Sequence, residues 1–545
     1  MKQKVGAILL DTRSIQKYVF FCNKLKTNTG ASYLVDSIFT DAMMSVLKEY
    51  DFKMPKEHWS EVDDVKIKSD SDIECEIAYI GGGNMLILVS KIDDELKLCR
   101  EIVSKWSEKL LLMAPGLKTG AAVGYLDLDD AAFRSSLDNL YKQLKNNQNN
   151  ILPQVDLPYT GLTLECDYSG KTADSVVAGE NRKVAAEIKA KIEAYAYSAE
   201  KVHSQYADLL KDKQGNDEYD FCTELEEIGY KEGESYISII HIDGNNMGVK
   251  FSECRSMQER KQLSLKVAQI VQDGFRRLIS SIIAEYDRYA AVLDMQRLKV
   301  GHKKILPLRP IIIGGDDITF ICPAKLALTY AQRFIEFVNS YELINEEFHN
   351  HIITELSNRN NGSDINISRS LSCCAGVAIV PAKYPFFRAY ELAEQLCGAA
   401  KEKSRKDDGS YLDYIILHGE MCSKLEQLRE QQYKGIYGNL HYGPYNVLDK
   451  AAGNRYIGKL LDLEKELGNG TVAQNKVKEL RSVLNEDLHK QEIFLEHTEK
   501  LKNILQHETG NRNVTAEAFW EKTADGNLVT RFIDAIEIMD FVFEG

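Results

Sequence analysis

Residues 310–322 read PIIIGGDDITFIC: an apolar run, four residues of turn chemistry, and a second apolar run. β-Branched and aromatic residues on both sides of Gly314-Gly315-Asp316-Asp317 predict two strands joined by a tight turn. Toward the N-terminus, SYISIIHID (235–243) is another apolar run that ends in a carboxylate, and a helical pattern from about Met257 to Tyr289 separates it from the hairpin. Toward the C-terminus follow a helix over roughly Leu326 to Tyr341, a fourth apolar run LSCCAGVAIV (371–380), and a helix over FFRAYELAEQLCGAAKEKSR (386–405). Strand, helix, hairpin, helix, strand is the order of a ferredoxin-like unit.

The same order stands earlier in the chain. VGAILLDT (5–12) ends its apolar run at Asp11, and an amphipathic region continues to about Tyr50. IECEIAYI (73–80), the turn Gly81-Gly82-Gly83-Asn84 and MLILVS form a second hairpin. The helical DDELKLCREIVSKWSEKLLL, the run TGAAVGYL (119–126) and the helical AAFRSSLDNLYKQLK complete the copy. An internal repeat of this kind predicts an α+β chain with two ferredoxin-like βαββαβ domains. The expected division is 1–150 for the first unit and 151–234 for a mostly helical connector, with an Asn-rich linker over 146–158. The second unit covers 235–415, and a helical C-terminal domain covers 416–545. The polar stretch 345–370, ending SNRNNGSDINISRS, reads as a long loop.

Composition narrows the function. Lys and Arg number 68 against 82 Asp and Glu, a net charge of −14, which disfavours broad binding to a phosphate backbone but leaves room for a local basic pocket. No run approaches the roughly 18 apolar residues of a membrane span. The N-terminus meets Asp11 too early for a signal peptide. The 11 cysteines are scattered without a CxxC pair, which reads as buried thiols of a reducing, cytoplasmic compartment. No GxxxxGK[ST] loop and no His-Asp dipeptide occurs, so P-loop and HD phosphohydrolase chemistry are excluded. The Tyr-rich IYGNLHYGPYN (436–446) receives no role.

In a ferredoxin-like sheet the first and third strands are central neighbours, so Asp243 is expected beside Asp316 and Asp317. Three crowded carboxylates repel one another unless a divalent cation neutralises them. Mg²⁺, or Mn²⁺, suits oxygen ligands and bridges carboxylates to phosphates. Gly314 and Gly315 suit a tight turn that phosphates approach closely. A Gly-Gly-Asp-Asp turn alone is equally a solvated turn; the strand-end carboxylate decides against that reading. Lys401, Lys403 and Arg405 follow Gly398-Ala399-Ala400, and cations there suit a triphosphate, although a helix C-terminus favours cations on its own account. In the first unit Asp11 takes the place of Asp243, but its turn carries no carboxylate, so the turn is kept and the metal site is lost. Two readings of that unit stay open: a second nucleotide held across a pseudo-twofold interface, or architecture alone.

These residues resemble the large palm-domain subunit of type III CRISPR effectors, the Cas10/Cmr2 family. The resemblance rests on Ser14-Ile15-Gln16-Lys17-Tyr18-Val19 with Thr29-Gly30-Ala31-Ser32-Tyr33-Leu34, on Asp243-Gly244-Asn245-Asn246-Met247-Gly248, on Gly314 to Asp317, and on Leu371-Ser372 through Ala378 with Ala400-Lys401. The last group is also similar to GGDEF cyclases. The resemblance implies two palm domains and synthesis of cyclic oligoadenylates from ATP, by attack of a ribose hydroxyl on an α-phosphate. It implies catalytic Asp243, Asp316 and Asp317, metal ligands from these and the Gly244 carbonyl, and nucleotide contacts from Gly244, Asn246, Gly314, Gly315, Ser372, Lys401 and Arg405. Its implied partners are ATP or another NTP, CRISPR-type protein subunits, guide or target RNA, and a second copy of the chain; no membrane is among them.

Three departures stand out. Asn245 occupies the place of a frequent second Asp. An N-terminal HD nuclease domain is expected to be missing, as the first palm reads from close to Met1. The cysteine zinc finger between the palms is absent too, with Cys166 in Leu164-Glu165-Cys166-Asp167-Tyr168-Ser169-Gly170 as a remnant. The expectation is a trimmed signalling synthase. The competing readings are a non-catalytic scaffold with a relict acidic site, and a GGDEF-like cyclase making another cyclic nucleotide.

Overall fold

The computed structural model describes residues 4–61, 64–90, 94–150, 161–177, 181–211, 215, 218–222, 228, 236–293, 299–300, 303–359, 367–419, 424–523 and 525–542. The first sheet contains β1 (Lys4–Arg13), β2 (Cys75–Gly81), β3 (Asn84–Val89) and β4 (Lys118–Asp127) in the antiparallel order β2-β3-β1-β4. Strand β1 reads as a continuous apolar run because both of its faces are covered. Val5, Ala7 and Leu9 pack with Phe133, Leu137 and Leu140, while Ile8 and Leu10 belong to the main core with Ile102 and Trp106. The alternation is the period-2 geometry of a strand, applied to two cores at once.

The second sheet repeats this order and extends it. It holds β5 (Tyr236–Gly244), β6 (Arg309–Gly314), β7 (Asp317–Pro323), β8 (Cys373–Pro381), β9 (Tyr411–Ile416) and β10 (Tyr445–Asn446), in the order β6-β7-β5-β8-β9-β10. The two four-stranded cores are therefore both ferredoxin-like, as the repeat implies.

Helix α1 (Ile15–Phe20) follows β1, and α2 (Met257–Ala284) and α3 (Phe386–Asp407) belong to the second unit. The two units interlock. Phe20 of α1 stacks on Tyr390 of α3 with ring centroids 3.8 Å apart. Lys261 of α2 forms a buried ion pair with Glu76 of β2 at 3.0 Å. Both charges are satisfied further, Lys261 by the Asp64 carbonyl and Glu76 by the Ile67 amide, as a buried pair requires.

The structure corrects four expectations. Residues Glu346–Arg359 form a helix rather than a loop, because Phe348 and Ile352 lie one turn apart and are buried, with Ile353 and Leu356 half-buried beside them, while most of the rest is polar; residues 360–366 of that stretch lie outside the described residues. Residues 411–416 are strand β9, parallel to β8, rather than the start of a helical region. The Asn-rich 146–149 closes a helix, Asp130–Asn149, and the remainder of the expected linker, 151–158, lies outside the described residues. The connector contains one long helix, Ala186–Gln205, but also a hairpin (Ser175–Val177 with Arg182–Val184) and a strand (Tyr219–Phe221) paired to Lys303–Leu306.

The C-terminal helices are tied to β9 by a buried polar cluster. His441 bridges Asp413 at 3.0 Å and Asp534 at 2.8 Å, and Arg429 also binds Asp413. Burial opposes a charge on His441, but the two carboxylates outweigh it and lift the imidazole to about 9. Tyr442 and Tyr445 of the Tyr-rich stretch are packing residues here, Tyr445 donating its hydroxyl to Asp534 at 2.5 Å. Among the described residues no helix is long and apolar enough to cross a membrane.

Helix α3 sits so close to β8 that a Cβ on Gly376 would lie 1.9 Å from the Ala393 carbonyl oxygen, whereas one on Gly398 meets nothing within 4 Å. Gly376→Ala is expected to lower the melting temperature by several degrees, at a cost of at least about 2 kcal/mol. Gly398→Ala is expected to leave it unchanged or raise it, since Ala is favoured over Gly inside a helix by roughly 1 kcal/mol. Thermal melts of the two variants beside the parent check both.

Candidate active site

The site is set by strand register. Pairing of β5 with β7 places Asp243 directly opposite Asp317, and Ile242, His241 and the rest of β5 fall into step behind. Gly314 pairs with Asp317, so Gly315-Asp316 is a two-residue turn. Gly315 has φ +62°, a region glycine adopts without strain. The turn delivers Asp316 onto the end of β5: the Gly244 amide donates to the Asp316 carbonyl at 3.2 Å. A side chain at Gly244 is excluded, because a Cβ there would stand 2.9 Å from the Asp316 Cβ and 2.8 Å from Met247 Cγ.

A cavity of about 470 Å³ opens at this junction, lined by the whole run Asp243 to Val249 with Asp316, Lys401, Ser404 and Arg405. It gathers Asp243, Gly244, Asn246, Asp316, Lys401 and Arg405 of the expected residues. It leaves out four. Asp317 lies off this wall, beside His241 and Gln16. Ser372 is buried, with its carbonyl accepting from the Asn245 amide at 2.8 Å. Gly314 and Gly315 line a second cavity of about 560 Å³ between the two units, into which the Gly81-Gly82-Gly83 turn also opens. The two glycine turns meet there, a Cβ on Gly315 falling 3.4 Å from the Gly82 amide nitrogen.

Charge is crowded at the strand ends. Burial, then the nearby Asp243 carboxylate, pushes Asp316 up to about 6 and Asp317 up to about 7. Lys401 forms an ion pair with Asp243 Oδ2 at 2.5 Å. Asp317 Oδ2 accepts a long hydrogen bond, 3.4 Å, from the Gln16 amide of α1, and its Oδ1 is buried without a hydrogen-bond partner, 3.4 Å from His241 Nδ1. Burial holds His241 below the ordinary histidine range, so it contacts Asp317 as a neutral ring. Sequence reasoning assigned no role to Gln16, His241 or Ser404. Gln16 stands in the Ser14–Val19 motif, and His241 is two residues before Asp243 on the same strand face, so alternation carried that signal.

Asn245 is also explained. Its Nδ2 donates to Ser404 Oγ and to the Gly409 carbonyl, each at 3.2 Å, tying the end of β5 to the end of α3. An Asp there would turn an acceptor toward the Gly409 carbonyl and break the tie.

Among the described residues, no three His, Cys, Asp or Glu side chains form a ready-made cage for a metal ion. The residues nonetheless fit Mg²⁺, which keeps several waters and takes one or two protein carboxylates together with substrate phosphates. The raised carboxylates and the orphaned Asp317 oxygen are groups that a cation would satisfy.

The first unit lacks these features. Asp11 lies opposite Asn84 and accepts from Gln148 Nε2 at 2.8 Å. Its turn has positive φ at both Gly82 (+59°) and Gly83 (+78°), and a Cβ on Gly83, the position matching Asp316, would stand 2.3 Å from Ile15 Cδ1 and 2.5 Å from Thr12 Oγ1. A side chain at Gly83 would have to displace Ile15 and Thr12, and the turn carries no carboxylate.

A sequence model of the Cas10/Cmr2 family, second palm domain, matches residues 236–409. A search of curated proteins finds no match. Among solved structures, the apo Csm1–Csm4 cassette aligns over 99% of this chain and 70% of its own, at 12% identity and a TM-score of 0.51. Csm1 of T. onnurineus aligns over 99% and 69% respectively, at 12% identity and a TM-score of 0.47. A Csm1–Csm4 cassette in complex with AMPPNP aligns over 86% of this chain at 14% identity and a TM-score of 0.43, and this chain spans 63% of it. The likeness to the apo cassette is one of fold.

Raised carboxylates carry a signed pH dependence. The folded chain binds protons at Asp316 and Asp317 more tightly than the unfolded chain, whose Asp titrates near 3.8. Their contribution to stability is therefore most favourable at acid pH and declines as pH rises through about 4 to 7. The double variant Asp316→Asn, Asp317→Asn is expected to melt higher than the parent at pH 8, with the gap closing toward pH 4; melts across that range check it.

Proposed function

We propose that this chain, whose residues 236–409 are a Cas10/Cmr2-type second palm domain, is a divalent-cation-dependent nucleotidyltransferase that joins ATP into cyclic oligoadenylate. The reading rests chiefly on one observation: Asp243 and Asp316, from separate strands, share a cavity wall with Lys401 and Arg405. Carboxylates and cations gathered in one cavity suit a triphosphate carried on a metal ion.

Each residue has a distinct task in this reading. Asp243 and Asp316, with the Gly244 carbonyl, hold a cation, Mg²⁺ or Mn²⁺. When bound, it supplies charge for a phosphoryl transfer and lowers the pKa of a coordinated hydroxyl. Lys401 supplies a point charge and Arg405 a fork for phosphate oxygens, both residues lining the cavity. Asp317 completes the acidic site from beside Asp243. Asn246 contacts the nucleotide from the turn, and Gly315 keeps the hairpin tip low. Ser404 and Asn245 fix the end of α3.

The similar chains are solved as Csm1–Csm4 cassettes, one in complex with cA4 and one with one ATP. By extension we assign this chain a partner subunit of that kind, with guide and target RNA reaching it through the assembly rather than through its acidic surface. The second cavity, between the two glycine turns, suits the second nucleotide that a joining reaction needs.

The test is incubation with each radiolabelled NTP and Mg²⁺ or Mn²⁺, with and without partner subunits and target RNA, and chromatography of products. Conversion of ATP is expected, with loss of at least about 100-fold in Asp316→Asn, Asp317→Asn, since electrostatic stabilisation of this kind is worth that much. Asp11→Ala is expected to stay within a few-fold of the parent. Absence of turnover with every NTP, in an assembled complex, would assign the chain to the scaffold reading instead.

A further inference from the structure

Among the described residues, Lys401 is the one lysine or arginine that forms an ion pair with any of the three carboxylates, and it sits on Asp243 Oδ2 at 2.5 Å, not free in the cavity. That oxygen is also one a divalent cation would need. Lys401 follows the small residues Gly398, Ala399 and Ala400 on α3, lines the cavity, and carries its ammonium on a flexible four-carbon stem. One helical turn on, Arg405 lines the same cavity and is exposed. Lys401 therefore has two neighbours of opposite kind within reach of one side chain: the carboxylate it now neutralises, and the space beside Arg405.

We propose that Lys401 is an exchangeable counterion: it occupies Asp243 when the site holds no metal and gives that carboxylate up to a divalent cation, turning instead to the triphosphate that arrives with it. This rests on the nucleotidyltransferase reading and adds to it a rule of binding order. Lys401 opposes cation binding in the absence of nucleotide and favours nucleotide binding in the presence of cation. No covalent step is involved; one ion pair is replaced by a cation–carboxylate contact, and the ammonium stays protonated throughout. The consequence is cooperativity, because neither the cation alone nor the nucleotide alone relieves the whole site. A constitutive Lys–Asp strut would behave differently, since its loss would weaken both ligands together. A lysine dedicated to phosphate would leave the cation untouched.

The opposite signs make the test sharp. Mn²⁺ binding to the full chain, without nucleotide, is followed by electron paramagnetic resonance for the parent, Lys401→Gln, Lys401→Arg and Asp243→Asn. Binding of a non-hydrolysable ATP analogue in saturating Mn²⁺ is followed by calorimetry, with melting curves to establish folding. Lys401→Gln is expected to bind Mn²⁺ about tenfold tighter than the parent and the ATP analogue about tenfold more weakly, each change being the size of a single charge-assisted hydrogen bond. Lys401→Arg, which keeps the charge, is expected to bind Mn²⁺ close to the parent. Equal or weaker Mn²⁺ binding by a folded Lys401→Gln would overturn the exchange while leaving the nucleotidyltransferase reading in place. Mn²⁺ binding that Asp243→Asn does not diminish would remove the metal site, and that reading with it.

Discussion

The antiparallel register of β5 and β7 is the constraint on which the site depends. Because Asp243 is the direct partner of Asp317, two carboxylates must stand side by side at the strand ends, and the two-residue turn adds Asp316 against Gly244. A one-residue slip would exchange the faces of Ile237 and Ile239 with those of Ile240 and Ile242, all buried, and part Asp243 from Asp317, so the packing of both faces fixes the position of the acids. The hydrophobic interior and the acidic mouth are thus two consequences of one alignment. The protein tolerates the crowding through Lys401, through Gln16 from the other unit, and through partial protonation.

The duplication shows what the alignment alone does not supply. Both units have the same strand order and the same glycine turn, yet the first pairs Asp11 with Gln148 and closes the Asp316-equivalent position with Ile15 and Thr12. Its contribution is instead positional. Phe20 stacks on Tyr390 and Gln16 reaches Asp317, so the helix after β1 braces the face of the second sheet from which the carboxylates project. The first unit braces a cluster of carboxylates that all lie in the second.

Much of this was legible in the residues. The run PIIIGGDDITFIC and its earlier counterpart marked both hairpins, and the ferredoxin order followed from counting elements between them. The Asp243–Asp317 neighbourhood followed from that order. What was hidden had physical causes. The 346–359 helix fully buries only Phe348 and Ile352 and half-buries Ile353 and Leu356, so its polar majority imitated a loop. Strand β9 is short and wholly buried, giving no alternation to distinguish it from a helix. Ser372 stood in a matched motif, but its burial under Asn245 depends on three segments meeting, which no local pattern records. The role of Asn245 depends likewise on Ser404 and Gly409, more than 150 residues away.

A structure of the chain with Mn²⁺ and a non-hydrolysable ATP analogue, read by anomalous scattering, addresses the central claim directly. The account predicts a Mn²⁺ peak at coordinating distance, roughly 2.0–2.3 Å, from oxygens of both Asp243 and Asp316, bridged to the triphosphate. Nucleotide bound with its cation held away from both carboxylates would contradict it.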